Sequence, residues 1–142
     1  MKIKYLFLII LLTNCCVQVD EETKMIDNYL KNTFNESIKY DHYYLVFSKF
    51  FCHNCVSSAL SVLELTMDTN CPQKYTVISY TDENLPVWIK ENFTTLIDNN
   101  ANIDYLNLEL SNFSIIKTNE YGIDFIKIFD TGESIEITNY LK

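Results

Sequence analysis

An α/β domain is the fold class this sequence predicts, and three observations predict it. Helical stripes alternate with β-prone runs from Thr23 onward. A Cys-x-x-Cys pair, Cys52-His53-Asn54-Cys55, stands between one such run and one such stripe. Near the end, residues 123–129 read as a strand that runs into Asp130-Thr131-Gly132-Glu133, a turn-forming stretch. The length of 142 residues suits one domain, and no repeat or linker divides it. Ten Tyr, nine Phe and one Trp can supply a core, while two Gly and two Pro argue against a disordered chain.

The N-terminus reads as an export signal. Lys2 and Lys4 precede an apolar stretch, residues 5–12. That stretch cannot cross a hydrocarbon core of about 30 Å, which needs about 20 residues, but it fits a signal peptide. Leu12-Thr13-Asn14-Cys15 then resembles the lipobox of bacterial lipoproteins. The resemblance implies removal of residues 1–14 and a lipid on Cys15, which anchors the chain to a membrane in the cell envelope. Of 142 residues, 14 are lost and 128 remain; loss of Lys2 and Lys4 takes the formal charge from −8 to −10. The alternative is ordinary cleavage near Asn14 or Cys16, giving a secreted protein. Either route takes the chain out of the cytosol, so disulfides can persist. Residues 15–22 read as a tether, with Asp20-Glu21-Glu22 solvated and Cys16 given no task.

Residues 23–142 read as the folded domain. Met25, Ile26, Tyr29, Leu30 and Phe34 space a helix over 23–34. Residues 35–41 are polar connection, with His42 expected on a surface loop. Residues 43–50 form a β-prone, mostly apolar run that predicts a buried strand. After the cysteine pair, Val56, Ala59, Leu60, Leu63 and Met67 space a helix that Asn70, Cys71 and Pro72 end. Residues 75–80 predict a second strand. A short helix follows through Leu85, Trp88, Ile89 and Phe93, with Pro86 tolerated in its first turn and Trp88 in the core. Residues 94–112 fit strand, helical turns or both. A short strand is expected at 113–117 and a clearer one at 123–129. The latter should pair through the Asp130–Gly132 turn with residues 134–138, where Ile135 and Ile137 alternate.

The order helix, strand, Cys-x-x-Cys, helix, strand, helix and late hairpin resembles the thioredoxin fold. More narrowly, residues 43–138 resemble the membrane-anchored thioredoxin-like proteins of bacterial envelopes. The resemblance implies a central mixed β-sheet flanked by helices and ending in a β-hairpin. It implies an exported thiol–disulfide oxidoreductase whose partners are protein thiols or disulfides. In that family a cis-proline precedes the late strand and faces the cysteine pair. The place expected for it is Ile123-Asp124, and neither residue is proline. A clear final helix is also missing. A redox-silent thioredoxin-like lipoprotein that binds protein partners therefore stands as an alternative.

The residues themselves fit redox chemistry. The thiolate is the nucleophile. At the start of a helix, unpaired N–H groups and the dipole favour the Cys52 anion. Cys55, one turn inside, is placed to resolve a mixed disulfide. His53 adds positive charge beside Cys52, and Asn54 is a neutral spacer. The same pair also suits a static disulfide or a thiol-based metal carrier. His42 and Cys71 are the distant candidate ligands, and no second pair has zinc spacing, so no metal or cofactor is expected. Cys71 is read as a small buried residue, with Cys16 pairing or a redox role as alternatives. Glu64 should face solvent. A charge of −8 and the absence of Arg oppose nucleic-acid binding. No nucleophile triad or phosphate loop is present in the sequence.

Overall fold

A computed structural model of the chain describes residues 20–50, 53–83, 85–110, 112–130 and 132–141, and of residues 53–55 the backbone only. The helices are α1 (Glu21–Phe34), α2 (His53–Thr66) and α3 (Val87–Asn92). The strands are β1 (Tyr43–Phe47), β2 (Tyr75–Ser79), β3 (Thr94–Ile97), β4 (Phe113–Asn119) and β5 (Gly122–Phe129). Three 3-10 turns, Pro72–Lys74, Asn102–Tyr105 and Ser134–Asn139, complete the elements.

The strands form one mixed sheet in the order β3-β2-β1-β4-β5. β1 pairs parallel with β2, and β2 with β3; β4 runs antiparallel to both β1 and β5. The molecule is therefore an α/β protein with a central mixed sheet. Central β1 and β2 are buried at every position, so they lack polar alternation. Tyr43, Leu45 and Phe47 join Val56, Ala59 and Leu63 of α2, together with Ile89 and Ile137. Tyr44 and Val46 point the other way, into Ile26, Tyr29 and Leu30 of α1. Successive strand side chains alternate faces, so β1 feeds two cores at once.

Helix α1 starts two residues earlier than its apolar stripe suggests. Asp20 is its N-cap and accepts the Thr23 N–H at 2.6 Å. Glu21 and Glu22 occupy the first turn, where the helix dipole favours them. The acidic run is thus the cap and first turn of a helix rather than tether, and all three residues are exposed as expected. Asn35 ends the helix in the left-handed region, at φ 58°.

The expected late hairpin is displaced by one strand. β4 and β5 form it, joined through Glu120 and Tyr121, and the segment after Asp130 is the 3-10 turn Ser134–Asn139. In a strand, Ile135 and Ile137 would share a face. Here Ile137 is fully buried while Ile135 is 78% exposed. Tyr140 packs on Phe125 and Phe129, and Lys127 lies 3.7 Å from Glu133, so the tail folds over β5 instead of extending the sheet. His42 is a second correction: it is 3% exposed, not a surface residue. Its ring Nε2 lies 2.8 Å from Thr76 Oγ1, and its backbone N–H donates to Thr118 Oγ1.

Candidate functional site

The carboxyl ends of β1, β2 and β3 open on one edge of the sheet, the usual location for sites in open α/β folds. β1 leaves that edge through Ser48, Lys49 and Phe50, and α2 begins at His53. The Cys-x-x-Cys segment therefore spans the junction between a central strand and a helix start. Cys52 and Cys15 lie outside the described residues, as do the side chains of His53, Asn54 and Cys55.

The approach to the pair is held from two sides. Ser48 N–H donates to the Asn112 carbonyl at 3.0 Å, tying it to the start of β4. Lys49 N–H donates to Asp104 Oδ2 at 3.0 Å, tying it to the 3-10 turn Asn102–Tyr105. Phe50 N–H donates to Ser48 Oγ at 3.0 Å and closes a local turn. Phe50 is 68% exposed and Tyr105, next to Asp104, is 76% exposed.

Asp104 is the notable acid here. Burial pushes its carboxyl above the ordinary range, against the hydrogen bonds from Lys49 N–H and the Ser48 hydroxyl; nearby Asp98 pushes the same way as burial. Its Oδ1 is buried without a hydrogen-bond partner among the described residues. No local pattern distinguishes this aspartate in sequence, because its partners lie 55 residues away.

Ile123 and Asp124 do not join this cluster. The register sets Phe47 opposite Phe113, and Phe113 opposite Phe129, whereas Ile123 pairs with Thr118 at the far end of β5. Six residues of strand separate Ile123 from Phe129, roughly 20 Å at the usual rise. Ile123 N–H donates to Thr23 Oγ1, and Asp124 accepts from Asn119 Nδ2. Both secure α1 and the β4–β5 turn. The residue beside the cysteine approach is Asn112, at φ 53°.

His42 and Cys71 also sit away from the pair, with β1 and β2 between. His42 precedes β1, and Cys71 precedes the turn into β2. Cys71 is a partly exposed free thiol rather than a buried one. Trp88 is half-buried and packs edge-on against Phe93. Glu64 is exposed, as its place in α2 suggests. Among the described residues no three His, Cys, Asp or Glu side chains gather as a metal site, and no helix is long and apolar enough to cross a membrane.

Comparisons with family models, curated proteins and solved structures returned no significant match.

Proposed function

We infer that this chain is a thioredoxin-like thiol–disulfide oxidoreductase, exported and lipid-anchored through Cys15. The observation that carries the reading is the junction itself. A Cys-x-x-Cys lies between central strand β1 and helix α2, with β2 parallel on one side and β4 antiparallel on the other. That arrangement agrees with the element order that suggested the fold.

In this reading Cys52 thiolate attacks a partner disulfide. The partner S–S bond breaks, a mixed disulfide forms, and the departing partner thiolate takes a proton. Cys55 thiolate then attacks Cys52 sulfur and releases the second partner thiol. The chain ends as the Cys52–Cys55 disulfide, and two electrons have passed to the partner. An envelope dithiol donor restores the reduced pair. His53 favours the thiolate form by its charge, and Asn54 adds none. Protein thiols and disulfides are the partners, with no cofactor in the exchange.

A second reading is favoured by Asn112, which stands beside the cysteine approach where the resembled family has proline. It makes the chain a redox-silent module that presents a surface to a partner protein. Redox titration of the purified chain separates the two, with Cys52→Ser and Cys55→Ser as controls. The oxidoreductase reading expects a two-electron couple that either substitution removes. A wild-type pair that never exchanges overturns it and leaves the binding module.

A further inference from the structure

We propose, resting on the thiol–disulfide reading, that an amide-lined groove beside the cysteine approach receives the main chain of an extended polypeptide substrate. The groove runs between α1 and residues 98–106 and holds about 560 Å³ of free volume. That lies within the common range of ligand sites, roughly 300–1,000 Å³. Asn28 and Asn32 line one wall, Asn100 and Asn102 the other, with Tyr29 and Leu106 between them.

The chemistry of the walls selects the occupant. No charged side chain lines the groove, although the chain carries a net −8. Phosphates and carboxylates therefore find no cation there. Each asparagine amide offers a donor and an acceptor, the same pair that a peptide unit presents. Asn28 and Asn32 are exposed and four residues apart, so they stand on one face of α1. A sugar ring would favour an exposed aromatic face, but Tyr29 is buried, with its hydroxyl engaged by Asp98.

The walls are held before any ligand arrives. Buried Asp98 accepts from the Tyr29 hydroxyl at 3.0 Å, from Asn102 Nδ2 at 3.0 Å and from Ile103 N–H at 2.9 Å. Preorganisation of this kind lowers the cost of binding. The same segment leads to the cysteines. Asp104 takes the Lys49 N–H, and residues three apart in a 3-10 turn eclipse, so Tyr105 shares a side with Asn102. Exposed Tyr105 thus flanks the groove wall, and the Asp104–Lys49 bond ties that wall to the strand end that leads to Cys52 in the chain. Main-chain bonding in the groove and an apolar side chain against Tyr105 would present a nearby cysteine to the pair.

The test uses the full chain and Asn28→Ala/Asn32→Ala, a variant whose alanines suit an exposed helix face. Three measurements are made. Fluorescence anisotropy follows carbamidomethylated, fluorescein-labelled insulin B chain, which has no thiol to exchange. Exchange rates of the reduced protein are taken with insulin and with cystamine. The proposal expects B-chain affinity and the insulin rate each to fall about tenfold in the variant, with the cystamine rate unchanged. Equal B-chain binding by both proteins overturns it, as does binding of maltohexaose in place of the B chain, or an insulin rate that falls no further than the cystamine rate. If wild type exchanges with neither disulfide, the redox reading is what has failed. B-chain binding then decides the groove alone: loss in the variant supports the subsite, and retention overturns it.

Discussion

Acid should weaken this fold through one residue, His42. The ring is 3% exposed, its Nε2 lies 2.8 Å from Thr76 Oγ1, and it meets Tyr44 edge-on at 4.9 Å. Burial drives its pKa down from 6.5 to about 4; the charges of Lys39 and Lys117 push the same way, and a backbone hydrogen bond at Gln73 opposes them. The folded state therefore keeps the ring neutral, while the unfolded chain takes up a proton below pH 6.5. Stability is fully present above that pH and is lost as pH falls toward about 4. The gap, at about 1.4 kcal/mol per pH unit, sets a ceiling of about 3 kcal/mol. Between pH 7.5 and pH 5 the loss from this group should be about 2 kcal/mol. Urea unfolding of wild type and His42→Gln at several pH values isolates it, because carboxylate effects common to both proteins cancel in the difference. NMR titration of the His42 ring gives an independent reading. A His42 that titrates between pH 6 and 7, or a difference in stability that stays flat from pH 7.5 to 5, would refute the argument.

Other perturbations follow from single contacts. Gly122→Ala should cost about 2 kcal/mol in urea unfolding, since a Cβ there meets Thr23 Oγ1 at 2.5 Å and φ is +143°. Gly132→Ala, at φ +97° in open space, should cost less than Gly122→Ala, and the reverse order would contradict the packing. Asp98→Ala strands three donors at once and should cost about 3 kcal/mol or more, with Tyr29→Phe nearer 1 kcal/mol. A double-mutant cycle on Tyr29 and Asp98 should show clear coupling; additivity would mean that the bond contributes little. Asp20→Ala removes the α1 cap and should lower stability by about 1 kcal/mol, read from the unfolding midpoint.

Local pattern carried much of the architecture. The stripe from Met25 to Phe34 identified α1, and β-prone runs identified β1 and β2, because burial on one or two faces imposes a period within a single segment. Boundaries slipped where a cap or a loop intervened, as at Asp20 and at Ser48. The hairpin was misplaced because Ile135 and Ile137 mimic strand alternation, while the tertiary surroundings bury one and leave the other outside. β3 was ambiguous in sequence: its four residues are incompletely buried and depend on β2 for pairing. His42 looked like a loop residue because nothing adjacent announces Thr76 or Thr118 as partners.

By itself the sequence determined an α/β chain of net charge −8, an apolar run near its N-terminus and a cysteine pair between a strand and a helix. Those features reside in consecutive residues, where periodicity and composition act directly. Only the tertiary structure decided that Asp104 meets Lys49 across 55 residues, that Tyr29 meets Asp98 across 69, and that Ile123 and Asp124 lie at the other end of the sheet. Register and through-space proximity arise when distant segments pack, and no short window of sequence contains both partners of such a contact.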